Sequence, residues 1–180
     1  MNVNAEGIVQ GVRYLPSPNC DERPPQGSIN LLVIHNISLP PNEYGGEGVM
    51  AFFTNRLDPD AHPYYQTIQD LKVSAHFFIR RNGEVVQFVP CSKRAWHAGA
   101  SNWQGQERCN DFSIGIELEG SDFEPFADAQ YEALSALTLA LKQAYPIEGI
   151  VGHSDIAPGR KTDPGPCFDW ARYRKGLESV

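Results

Sequence analysis

Residues 112–152, FSIGIELEGSDFEPFADAQYEALSALTLALKQAYPIEGIVG, read in turn as a strand, a helix and a second strand. From Phe112 to Glu119 the apolar residues alternate. Phe112, Ile114, Ile116 and Leu118 take one face, and Ser113, Gly115, Glu117 and Glu119 the other, which is the period of a pleated strand. From Asp128 to Tyr145 the period lengthens to that of a helix: Tyr131, Leu134, Leu137, Thr138 and Leu141 fall on one stripe. Asp128 is placed to cap this helix and Pro146 to stop it. Ile147 to Gly152 then gives a short strand.

Working outward, Leu31 to Ile34 is an apolar run with β-branched members that suits a buried strand. Ala75 to Val89 predicts a hairpin about Asn82-Gly83, a dipeptide suited to the positive φ angles of a type I′ turn. Trp170, Tyr173 and Leu177 mark a terminal helix. Strands interleaved with helices predict an α/β fold with a mixed central β-sheet flanked by helices. At 180 residues one domain is expected over 1–180. Ser38–Gly48 and Ala157–Pro166 are Gly/Pro-rich irregular loops of a length that is often functional, and Ser38–Gly48 and Pro59–Leu71 are candidates to cover or reshape a cleft.

Fifteen basic against 22 acidic residues leave a net charge of −7. That argues against a nucleic-acid binder, which needs a basic face to displace counterions from phosphates, and against a protein held to anionic lipid by general charge. The opening MNVNAEGIVQGVRY has no basic segment followed by an apolar one, and Ala133–Leu141 is far too short to span a bilayer. Cys20, Cys91, Cys109 and Cys167 are scattered without a CxxC pair. Reduced thiols in a cytoplasmic monomer are the expectation.

His35 closes the strand LLVIH, and His153 closes IVGH; ten residues later Asp163 stands in KTDPGP. Two histidines and a carboxylate can hold Zn²⁺ and leave one position open to water, the arrangement of hydrolytic zinc. The plainer alternative is a pair of hydrogen-bonded structural histidines and a turn-forming aspartate. Lys161 is either a cation placed to stabilise an oxyanion or a solvated loop lysine. Glu117 and Glu119 share a strand face about 7 Å apart. They could act as an acid–base pair on a glycoside, or one of them could serve as general base; otherwise they form an exposed acidic face. Trp96 and His97, in KRAWHAGASNW, suit stacking on a sugar ring or plugging a loop. His76 on its strand reads as structural, and His62 in DAHPYY as a surface residue.

Several long strings extend the reading: LLVIHNISLPP, DPDAHPYY, VSAHFFIRRNGEVVQFVP, RAWHAG, RCNDFSIGIELEG and GHSDIAPGRKTDPGPCFDW. In this order, between about Arg13 and Leu177, they resemble the zinc-dependent N-acetylmuramoyl-L-alanine amidases of type 2. Within these the resemblance is to the cytoplasmic branch that cleaves 1,6-anhydro-muropeptides in peptidoglycan recycling. It implies a mixed sheet packed with helices and a zinc ion held by His35, His153 and Asp163. It further implies a catalytic role for Glu117 and Lys161, and contacts to the anhydro-muropeptide from Asn36, Trp96 and Arg108. Lys72 falls where relatives carry arginine, and lysine keeps the charge but loses the planar fork that holds a carboxylate. Three rival classes stand beside this reading. A glycosidase would use Glu117 and Glu119, a recognition module would bind peptidoglycan without cleaving it, and a secreted lysin would act on intact wall.

Overall fold

A computed structural model describes residues 1–25 and 27–178. In chain order its elements are β1 (Arg13–Tyr14), β2 (Cys20–Glu22), β3 (Leu31–Ile37), α1 (Gly48–Phe53), α2 (Pro63–Ile68), β4 (Phe77–Ile79) and β5 (Val85–Gln87). There follow β6 (Lys93–Ala95), β7 (Asn102–Trp103), β8 (Gln106–Glu107), a 3₁₀ turn (Cys109–Asp111), β9 (Ser113–Glu119), α3 (Asp128–Ala144), β10 (Gly149–Gly152), α4 (His153–Ile156) and α5 (Trp170–Glu178). Six strands form the central sheet in the order β1-β5-β4-β9-β3-β10. Only the β4–β5 pair is antiparallel, so the sheet is mixed.

Helices lie on both faces, and the two innermost strands, β4 and β9, are buried along their whole length. On one face Leu32, Ile34, Ile114, Ile116, Leu118 and Phe77 pack against Leu134, Leu137 and Leu141 of α3 and Tyr173 of α5. On the other, Phe78, Val86 and Phe88 meet Met50 and Phe53 of α1 and Tyr65 and Ile68 of α2. No described helix is long and apolar enough to cross a membrane. All four cysteines are free thiols.

Four local expectations change. β3 continues past Ile34 to Ile37, so His35 and Asn36 lie within the strand. Asp128 is the first helical residue rather than the cap. Ala127 stands at the cap, its N–H donating to Gln130 Oε1 at 3.0 Å, while Asp128 pairs with Arg172 at 2.7 Å. The hairpin closes through a three-residue loop. Arg80 N–H donates to the Glu84 carbonyl and Gly83 N–H to the Arg80 carbonyl, both at 2.9 Å, and only Gly83, at φ 85°, is left-handed. A type I turn with a glycine bulge therefore replaces the type I′ turn. Finally, α2 occupies the middle of Pro59–Leu71: Pro63 starts it, and His62 Nδ1 caps it by accepting Tyr64 N–H at 3.1 Å.

Candidate active site

The parallel register of β3 and β9 sets His35 beside Glu117. Both belong to the face that also carries Leu31, Val33, Ser113 and Gly115, because side chains repeat every second residue. On the far side of β3, β10 pairs Gly152 with Ile34, so His153, the next residue, arrives opposite His35. Asp163 comes from the loop after α4. His35 Nδ1 lies 3.0 Å from His153 Nδ1 and 2.9 Å from Asp163 Oδ2, and His153 Nδ1 lies 3.1 Å from the same oxygen. Three residues distant in sequence thus present three donor atoms at the corners of a small triangle.

Proton counting shows what this triangle suits. His153 Nε2 is 3.0 Å from the Ala98 carbonyl, which can only accept, so Nε2 carries a proton, and a ring with that single proton leaves Nδ1 bare. The edge between His153 and Asp163 then sets a nitrogen lone pair against a carboxylate oxygen. Burial pushes His35 down to about 4, so it does not supply a charge at neutral pH. A divalent cation would turn all three atoms into ligands. The edges approach the roughly 3.3 Å that tetrahedral zinc with bonds near 2.0–2.1 Å would span, and two nitrogens with one oxygen are a hydrolytic zinc donor set. The residues fit the metal.

Glu117 is only 8% exposed, and its Oε2 has no hydrogen-bond partner. Burial, reinforced by the nearby Asp163 and opposed by Lys161, holds its carboxyl well above the usual range. A buried carboxyl with a free oxygen, beside this triangle of donor atoms, can take and return a proton. Glu119 is spent differently. Its Oε1 accepts Gly45 N–H at 2.6 Å and its Oε2 accepts Arg81 N–H at 2.9 Å, so it ties two loops to the sheet. It is buried and no partner for Glu117 across a glycoside, and the exposed acidic face does not exist.

The triangle opens into a cleft of about 530 Å³. Asn36, Trp96, His97, Glu117, Lys161 and Asp163 line it, as do Tyr64, Leu71 and Phe123, which project apolar surface at the rim. The Ser38–Gly48 and Pro59–Leu71 segments supply much of that wall. Asn36 Nδ2 donates to Asp122 Oδ1 at 2.8 Å and to the Pro164 carbonyl at 3.0 Å, tying β3 to the loop that carries Asp163. Lys72 is set apart in an adjoining pocket of about 300 Å³ with Trp96, Arg160 and Lys161. Arg108 is not in the lining of either space; its side chain is 72% exposed and pairs with Asp111 at 3.2 Å.

His97 differs most from its sequence reading. Its ring turns inward over β9, where a Cβ on Gly115 would come within 2.5 Å of it. Nδ1 lies 2.9 Å from His35 Nε2 and Nε2 lies 3.2 Å from Ser113 Oγ, so no ring nitrogen is left for a sugar. Burial, with His35 and His76 beside it, drives His97 well below the ordinary histidine range. His76 is structural. It accepts Gly115 N–H at Nδ1 and faces the Lys93 carbonyl at Nε2. Sequence reading missed Arg160, which donates to the carbonyls of Ala98 and Ala100 at 2.7 Å, and Asn110, whose Oδ1 accepts the N–H of His97 and of Ala98. Neither has a local signature, because both act across loops.

The family profile described as N-acetylmuramoyl-L-alanine amidase matches residues 25–166. The 1,6-anhydro-N-acetylmuramyl-L-alanine amidase AmpD of Escherichia coli (strain K12) is 58% identical over 171 residues, covering 94% of this chain and 93% of that protein. A crystal structure of a Se-Met AmpD derivative superposes with a TM-score of 0.95 at 57% identity, over 98% of this chain and 99% of the other. The amidase AmiD from E. coli, solved in complex with the substrate anhydro-N-acetylmuramic acid-L-Ala-D-gamma-Glu-L-Lys, gives a TM-score of 0.61 at 32% identity, over 97% of this chain and 65% of that one. Sequence and fold agree, and the chain belongs to the N-acetylmuramoyl-L-alanine amidase family.

Proposed function

We propose that this protein is a zinc-dependent amidase that hydrolyses the bond between the lactyl carbonyl of 1,6-anhydro-N-acetylmuramic acid and the L-alanine of the stem peptide. The observation that carries the reading is the converging triangle of His35, His153 and Asp163 with the unpartnered Glu117 oxygen beside it. The anhydro-muropeptide held by the related AmiD supports the substrate class.

His35, His153 and Asp163 would hold the metal, whose chemistry is to lower the pKa of water and to polarise a carbonyl. Glu117 takes a proton from the attacking water, whose oxygen bonds to the lactyl carbon. The ammonium of Lys161 stabilises the negative charge gathering on the former carbonyl oxygen. Glu117 then returns its proton to the departing nitrogen as the C–N bond breaks. The products are a lactyl carboxylate on the sugar and a stem peptide with a free amine. Trp96 offers the sugar an apolar face, Asn36 holds the β3 side of the cleft, and Lys72 with Arg160 makes the adjoining pocket suited to peptide carboxylates. Arg108 reaches the peptide only if its exposed side chain leaves Asp111.

The four free thiols suit a reducing compartment, and the reading places the enzyme in the cytoplasm, as a monomer of one amidase domain, in peptidoglycan recycling. Mass spectrometry of products from anhydro-muramoyl tripeptide tests this. Free tripeptide that disappears with chelator and returns with zinc is expected. Sugar cleavage that survives the chelator, or intact substrate with zinc-replete protein, would overturn it.

A further inference from the structure

The two histidine ligands have something in common beyond the triangle: the nitrogen that each turns away from it is met by one of two consecutive residues. His35 Nε2 faces His97 Nδ1 at 2.9 Å, and His153 Nε2 faces the Ala98 carbonyl at 3.0 Å. We infer that the dipeptide His97-Ala98 is a positioning strap that sets the tautomer of both ligands at once, leaving each Nδ1 bare toward Asp163. The inference rests on the metal reading given above.

The strap is built to hold that geometry. Asn110 Oδ1 accepts both its backbone N–H groups, from His97 at 3.1 Å and from Ala98 at 2.9 Å. Arg160 donates to the Ala98 carbonyl at 2.7 Å, so that oxygen is fixed from a second side. The His97 ring lies on β9 because residue 115 is glycine, and a side chain there would occupy the ring's place.

The protons can then be assigned along the chain of contacts. Only one of the two nitrogens 2.9 Å apart, His35 Nε2 and His97 Nδ1, carries a proton. If it is His35 Nε2, then His35 Nδ1 is bare for a metal and His97 Nδ1 is the acceptor. The neutral His97 ring then carries its own proton on Nε2, where Ser113 Oγ accepts it at 3.2 Å. The opposite assignment places the proton on His35 Nδ1 and blocks the metal. A hydrogen-bond partner on the outer nitrogen of a histidine ligand typically changes metal affinity by 10–100-fold.

The test measures zinc affinity by competition with a chromophoric chelator, and ring tautomers by long-range ¹H–¹⁵N correlation on the full chain before zinc is added, since zinc on Nδ1 would itself fix the proton on Nε2. His97→Ala should bind zinc about 10–100-fold more weakly and lose the single Nε2–H signature of His35. His97→Asn, which sets an amide oxygen near the position of Nδ1, should recover most of both. Equal loss in the two variants, or zinc affinity within twofold of wild type in His97→Ala, would overturn the strap. Should His97→Ala fail to fold, Asn110→Ala keeps both rings. A second tautomer with weaker zinc binding supports the inference; one unchanged tautomer at unchanged affinity overturns it. Neither readout involves amide cleavage. A protein that binds zinc but cleaves nothing therefore sinks only the amidase reading, whereas a wild type that binds no zinc removes both.

Discussion

Glu117→Gln should make the metal-free protein more stable while disabling it. The side chain is buried with one oxygen unpartnered, and its carboxyl sits well above its ordinary value of 4.5, chiefly through burial. A group whose folded pKa is raised contributes stability that is complete below the unfolded value and lost as pH rises through the folded one. At pH 7 the folded protein must therefore either ionise a desolvated carboxylate or keep a proton that the unfolded chain has released. One pKa unit is 1.36 kcal/mol, so the interval from 4.5 to 7 caps this loss at about 3.4 kcal/mol. Glutamine carries no such charge, and its unpartnered amide resembles the neutral acid. In chelator at pH 7 we expect Glu117→Gln to be more stable than wild type by no more than this cap, at most roughly 7–14 °C in Tm for a chain of this size. Near pH 3.5 the gain should all but vanish, because wild-type Glu117 is then almost wholly protonated in both states. With zinc restored, turnover should fall about 10²–10⁴-fold. Paired thermal melts of the two proteins at the two pH values decide it. A variant less stable than wild type at pH 7, or a gain independent of pH, would refute the reasoning.

Lys161→Met should lower kcat by about 10²–10³-fold with a much smaller change in KM, since the ammonium acts on charge that develops during the reaction; steady-state kinetics check it. Glu119→Ala leaves the Gly45 and Arg81 N–H groups without acceptors and should cost roughly 2–4 kcal/mol in urea unfolding, with zinc stoichiometry unchanged. Leu134→Ala, on the fully buried stripe of α3, should cost about 2–5 kcal/mol by the same measurement.

The strand–helix–strand order was legible because each element buries a face, and burial writes its period into the residues: alternation in β9, a stripe at Tyr131, Leu134, Leu137 and Leu141 in α3. Six-residue helices write almost nothing. α1 and α2 complete fewer than two turns each, so α1 gives no sequence signal of its own and α2 is hidden inside the Pro59–Leu71 segment. The cap of α3 went to Asp128 on residue type alone, whereas Gln130 serves the Ala127 N–H and also bridges to the sheet through the carbonyls of Ile79 and Glu119. In the site, His35, His153 and Asp163 stood out as strand-end and rigid-loop residues of metal-binding type, but their meeting is a product of register between β3, β9 and β10. His97 shows the limit. A Trp-His pair in a polar loop suggests stacking on a ligand, and nothing local reveals that Gly115, eighteen positions on, makes a bed for the ring.

Hydrolysis in ¹⁸O-enriched water tests most directly whether this site drives water onto the lactyl carbonyl. Zinc-replete wild type given anhydro-muramoyl tripeptide should place one ¹⁸O in the lactyl carboxylate of the released sugar acid and none in the tripeptide, with the label absent in chelator. Label elsewhere on the sugar, or label incorporated at full rate after zinc removal, would contradict it.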